Sequence, residues 1–267
     1  MADTAPELPE ALRDKRRLTE QDEFPFSCHP KISCFNNCCA DINIVLTPLD
    51  VLGLARRIGV TTTEFLQKYC LHPITKDLNL PMVMLGMEED EEKKCRFVGE
   101  QGCTVYEDRP WACRMYPVGM ALPPARAGVE PEPIFFLFED DFCKGRFEDR
   151  RWTVAQWRED QGLPEREAIE AGFQELVSHP WFIGGRKLDT RRIEMFHMAC
   201  YDIDRFRRFV FDSTFLERFE PEPELVEKIR TDDHELLRFA FRWLKYAMFG
   251  EPTVPLREDE SASPRNP

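Results

Sequence analysis

The sequence predicts an α+β protein: a small cysteine-rich α+β metal-binding domain followed by a mainly helical C-terminal region. Three observations predict it. Short apolar runs separated by Gly, Pro and charged turns fill the chain between Asp41 and Phe138, the pattern of short strands. After Arg150 the pattern changes to longer amphipathic stretches with helix caps and glycine stops. Nine of the ten cysteines lie between Cys28 and Cys143, so the thiols belong to the first region.

Composition narrows the function class. The chain has 267 residues, 42% hydrophobic and 32% charged, and a net charge of −13, as expected of a globular protein with a sizeable core. That negative charge argues against nonspecific attraction to nucleic acid or to an anionic membrane, so neither partner is expected. No stretch approaches ~18 consecutive apolar residues, and the first residues lack a signal-peptide core. The expected location is the cytoplasm, where clustered cysteines bind metal or do redox work more often than they form structural disulfides.

Taken in order, residues 1–23 read as a flexible, solvated arm, with one short helix around Pro9–Arg17. Residues 24–149 form the cysteine domain, 150–250 a helical region packed on it, and 251–267 a disordered tail. Asp41–Leu46 alternates and predicts a strand. Thr47, Pro48 and Asp50 open a helix that Gly59 stops; Thr61 and Glu64 open the next. Pro81–Met87 predicts a strand, Glu88–Lys94 a charged hairpin tip, and Cys95–Val98 with Cys103–Tyr106 two short strands around a turn. Asp108 is expected to cap a short helical segment that Pro117 ends, before a Pro-rich loop over 121–133 and a buried strand over 133–138. Thr153 with Gln156 caps a helix, Leu163–Ser178 is amphipathic, Ile193–Val210 predicts one helix, and Asp232 with Glu235 opens a last strong helix closed by Gly250.

The candidate site is the set of thiols. Cys28, Cys34, Cys38 and Cys39 fall within one short segment, and Cys38 and Cys39 are adjacent, a spacing that packing does not require. Cys95, Cys103, Cys113 and Cys143 follow in turns and short elements. Thiolate suits zinc and iron–sulfur clusters, and short loops lower the entropy cost of gathering ligands. All eight are candidate ligands; Cys70 and Cys200 are read as small buried hydrophobes. Lys31, Arg96, Arg109, Arg114 and Lys144 lie near the thiols in sequence and could offset their charge, or could serve as ordinary surface cations. His29 adjoins Cys28 and is read as an exposed loop histidine. His72, His179, His197 and His234 are scattered, with no His-x3-His pattern. Asp140 and Asp141 read as a solvated run. No nucleotide fingerprint, phosphate loop or nucleophile elbow is present, so catalytic residues are unknown.

The motifs CFNNCC, CRFV, GCTVYEDRPWACRMYP and the late Cys143 resemble the YkgJ-type cysteine-cluster family, a zinc- or iron-chelating domain, over about residues 24–146. The family opening is usually tighter, Cys-x2-Cys-x2-Cys-Cys, which makes Cys28 the outlying member here. The resemblance implies binding of zinc, iron or an iron–sulfur cluster. A more distant likeness to the flagellin lysine methylases implies that such clusters can serve methyl transfer. Eight thiols exceed the need of one structural zinc, so an iron–sulfur cluster, of the 4Fe–4S kind, is favoured over a zinc or iron ion. The expected role is electron transfer or cluster-dependent chemistry, with a redox or other protein partner. The alternatives are a zinc-stabilised adaptor and a protein of iron or zinc chelation and delivery.

Overall fold

The computed structural model describes residues 15–121 and 133–257. It is an α+β protein in which small antiparallel sheets dominate the early chain and helices the later chain. Two compact units are distinguished. One holds the chain up to Leu46 with Met84–Ala168; the other holds Thr47–Val83 and the chain from Ile169. Residues 122–132 of the expected Pro-rich loop and most of the expected helix around Pro9–Arg17 fall outside the described residues, as does the end of the tail.

In the first unit a three-stranded antiparallel sheet is ordered Arg17–Leu18, Ile134–Leu137, Val118–Ala121. Leu18 is buried in it, so this part of the expected arm is a sheet edge. Glu23–Pro25 pairs with Arg151–Thr153, setting Phe24 opposite Trp152. Val98–Gly99 and Gly102–Cys103 form a tight hairpin, shorter than the two strands expected there. Phe24, Phe26, Met115, Val118, Phe135, Leu137, Trp152 and Trp157 pack one core, and Cys143 is part of it. Burying each large side chain contributes roughly 1.5–3 kcal/mol. Both indoles satisfy their N–H inside this core, Trp152 to the carbonyl of Phe26 and Trp157 to that of Met115.

Asp108 is not the N-cap residue of the helix that follows it. It ends a separate 3-10 turn, Tyr106–Asp108, and Pro110 occupies the cap position of the helix Trp111–Met115 without a side-chain bond. The Arg109-Pro110 step explains this, because the residue before a proline is driven out of helical conformation.

The second unit is helical. Pro48–Ile58 and Thr62–Tyr69 start on capping boxes at Thr47 and Thr61, and Gly59 closes the first at φ 74°. The stretch 193–210 is two helices, Thr190–Cys200 and Ile203–Phe211. The break falls at Tyr201-Asp202, where the Asp202 carboxylate caps the second helix and also accepts from the hydroxyls of Thr62 and Thr63. The helix Asp233–Leu244, continued by the π-helical turn Lys245–Phe249, buries Leu236, Leu237, Phe239, Phe241, Trp243 and Leu244.

Candidate metal centre

Two backbone junctions gather the cysteines of the first unit. The first joins the Cys28–Cys39 segment to the 93–103 hairpin. Asn36, at φ 70°, turns the chain into a 3-10 turn, Asn37–Cys39, and its side-chain amide donates to the Gly99 carbonyl across 3.2 Å. The Cys95 N–H donates to the Cys39 carbonyl at 2.7 Å, and the Asp41 N–H to Lys93 at 3.0 Å. Cys39 is thereby set beside Cys95, while Val98 pairs with Cys103.

The second junction joins the same segment to the Cys143 turn. The Ser27 N–H donates to the Gly145 carbonyl at 3.1 Å. A Cβ at Gly145 would stand 2.7 Å from the Ser27 carbonyl oxygen, so only glycine lets the two chains approach this closely. The Lys144 N–H donates to the Cys34 sulfur at 3.1 Å. Tyr116 lines the same place: its ring stacks on Phe138 and meets Phe26 edge-on, and its hydroxyl donates to Asp140 at 3.2 Å.

The electrostatics sort the thiols into two neighbourhoods. Cys28 is exposed, yet the loss of water around its sulfur pushes it up to about 11, and the charges of Cys38, Cys34 and Cys143 add to this. Cys39 is raised, first because its S–H donates to Cys38, then by burial, with Cys38, Cys113 and Cys95 adding repulsion. Cys38 is lowered by accepting that bond, against burial and the Asp140 charge. Burial raises Cys95, against N–H donation from Phe97 and Val98 and with repulsion from Cys103. Burial likewise raises Cys103, opposed by the Val105 N–H and the Arg109 charge. Cys34, Cys38 and Cys143 thus all bear on Cys28. Cys113 and Cys95 bear on Cys39 and Cys103 on Cys95, and the adjacent Cys38 and Cys39 link the two neighbourhoods.

Among the described residues, no three Cys, His, Asp or Glu side chains converge closely enough to hold one ion. The donor chemistry fits a thiolate-bound metal all the same. Thiols crowded together and partly buried resist ionisation until a cation neutralises them. N–H groups aimed at the sulfurs of Cys34, Cys95 and Cys103 are the contacts that orient and stabilise ligating thiolates. A cavity of about 1120 Å³ opens beside Cys38, between Phe35, Asn37, Lys94, Asp140 and Phe142.

The other sequence candidates fall as follows. Cys70 is partly buried and Cys200 fully so, both in the second unit. His29 pairs with Glu148 at 3.2 Å. Arg109 stacks on Tyr106, Arg96 donates to the Met87 carbonyl, and Arg114 donates to the carbonyls of Arg109 and Gln161. Lys144 reaches a sulfur through its backbone, while its ammonium bonds the Asp141 carbonyl. Asp140, expected in a solvated run, instead meets Tyr116 and bears on Cys38. Its position two residues before Phe142-Cys143 was the available signal.

The fold and the thiol sets define a cysteine-rich α+β domain whose donors suit a soft or borderline metal ion. Residues 27–144 match the CxxCxxCC family model, described as "Putative zinc- or iron-chelating domain". All eight candidate ligands lie inside the matched residues. No curated protein and no solved structure was found to match the chain.

Proposed function

We propose that this domain holds its metal through both thiol sets, Cys28, Cys34, Cys38 and Cys143 in one and Cys39, Cys95, Cys103 and Cys113 in the other. What supports the reading is that Cys34, Cys38 and Cys143 bear on Cys28, while Cys95 and Cys113 bear on Cys39 and Cys103 on Cys95; four thiolates are the ligand number of one iron–sulfur cluster or one zinc. We favour iron–sulfur. The N–H donors at three sulfurs and the aromatic wall of Phe26, Tyr116 and Trp157 near Cys143 are levers that set a cluster's potential, whereas zinc has no potential to set. When bound, such a cluster would supply one-electron chemistry. The chain's own part is to supply thiolates, direct N–H dipoles at them, and exclude water on the Cys143 side. The cavity beside Cys38 gives a redox partner or small substrate an approach. Thiols in this number suit a reducing compartment, so we place the protein in the cytoplasm.

Purification without oxygen, followed by assay of iron, zinc and acid-labile sulfide per chain, tests this. Iron with matching sulfide and a visible chromophore is expected. Colourless protein with stoichiometric zinc and no sulfide would replace the reading with a zinc-held binding or delivery module.

A further inference from the structure

His72 and His197 stand 125 positions apart in sequence and meet in the second unit. His72 follows the helix Thr62–Tyr69, and His197 lies on the helix Thr190–Cys200. His197 Nε2 and His72 Nδ1 are 3.2 Å apart, with the rings inclined at 63°. His72 Nε2 lies 3.0 Å from the Leu66 carbonyl oxygen. A carbonyl only accepts, so Nε2 carries the His72 proton and Nδ1 presents a lone pair toward His197.

Those two facts describe half of a metal site. A backbone carbonyl that fixes the proton on one imidazole nitrogen, leaving the other as donor, is the usual support of a metal-bound histidine. Two nitrogens each about 2.0–2.1 Å from a tetrahedral zinc stand roughly 3.2–3.4 Å apart, so the pair already has a chelating separation. The rings open on a cavity of about 390 Å³ that Thr63, Gln67, Asp202 and Arg205 also line. Asp202 Oδ1 is occupied by the hydroxyls of Thr62 and Thr63, at 3.2 and 2.7 Å, and by the Arg205 N–H at 3.2 Å. It offers negative charge to the cavity, which the Arg205 guanidinium opposes.

We propose that His72 and His197 form an exchangeable site for a divalent transition-metal ion of the zinc class, built without any of the thiols. Imidazole suits zinc, copper, iron and nickel. The ion takes the place of the shared proton: His197 turns its Nε2 lone pair to the metal and carries its N–H on Nδ1, so no proton is released. Two side chains leave the remaining positions to water or a small anionic ligand, for which the cavity has room.

The test uses the full chain with its thiol centre already loaded, titrated with zinc while the histidine ring nitrogens are followed by long-range 1H–15N NMR. Saturable movement of His72 Nδ1 and His197 Nε2 is expected, with His29, His179 and His234 unmoved. His197→Gln keeps a side-chain N–H donor for His72 but supplies no ligand. It should remain folded while the zinc concentration needed for half of the His72 response rises at least tenfold. Ring signals that ignore excess zinc in the folded wild type would overturn the proposal. So would a His72 response of unchanged midpoint in His197→Gln. Neither outcome bears on iron or sulfide at the thiols, so this site and the thiol centre stand or fall separately.

Discussion

The Lys144 N–H and the Cys34 sulfur, 110 positions apart, are joined by a hydrogen bond of 3.1 Å. That bond fastens the Cys28–Cys39 segment to the Cys143 turn, and Gly145 is the next residue along. At Gly145 any Cβ would press the Ser27 carbonyl oxygen at 2.7 Å. Gly145→Ala is therefore expected to cost about 1–3 kcal/mol by overpacking and to lower metal retention by separating Cys28 and Cys34 from Cys143. Gly184→Ala is the control. Its φ of +89° makes any side chain strained, but nothing lies within 4 Å. Denaturant midpoints should fall for both, and metal per chain only for Gly145→Ala. Equal metal content in the two variants would refute the role given to this junction.

Cys38 should be the most reactive thiol of its pair in metal-free protein. Its thiolate accepts the Cys39 S–H, which lowers Cys38 and raises Cys39. The thiolate is the nucleophile, so brief iodoacetamide labelling near neutral pH, read by peptide mass spectrometry, should mark Cys38 well before Cys39. Cys39→Ala removes the donor. It should slow labelling at Cys38 and move its pH profile upward. Labelling that begins at Cys39 would reverse the assignment.

How far the sequence reveals this molecule depends on the range of the interaction. Thr47, Thr61 and Thr153 cap the helices expected of them because a capping box closes over three residues of local chain. The break at Tyr201-Asp202 escapes such reading. The apolar pattern runs on through it, and the groups that hold Asp202, Thr62 and Thr63, lie about 140 residues earlier. The site divides the same way. The cysteines and their spacing are visible in the chain alone. The Lys144–Cys34 and Cys95–Cys39 contacts, the Tyr116–Asp140 bond and the His72–His197 pair arise only when distant loops meet. Asp140 looked solvated because its neighbour Asp141 is; a turn sends adjacent side chains in different directions.

His197 supplies a pH prediction for the zinc-free protein. Burial is the main cause holding its imidazole down, to about 4, and the nearby His72 adds to it. The unfolded chain takes up this proton near the ordinary histidine value while the folded chain resists it. Stability from this group is thus present at neutral pH, falls as pH drops from about 6.5 toward 4, and is lost below that. NMR titration should find His197 neutral at pH 5.5. His72→Ala should raise its midpoint, since both the repulsion and part of the burial disappear. A wild-type midpoint above 6 would exclude a His197 held neutral by its surroundings.

Glu170 is a charged residue that periodicity did not place in the interior. It is 3% exposed, and its carboxylate accepts the Leu49 N–H at 2.8 Å. Leu49 is the second residue of the helix Pro48–Ile58, whose first N–H groups have no partner within the helix. A carboxylate there both satisfies a donor and faces the positive end of the helix dipole. Glu170→Ala strips the donor of its acceptor in a buried place, at an expected cost of about 1–3 kcal/mol. Glu170→Gln keeps an acceptor without the charge and should recover part of that loss. Both the carboxylate and the helix start lie in the second unit, so metal held by the thiols should be unchanged while the thermal midpoint falls. An Ala variant as stable as wild type would mean that another group takes over the helix start. A variant that lost metal with its stability would mean that the thiol centre depends on this helix.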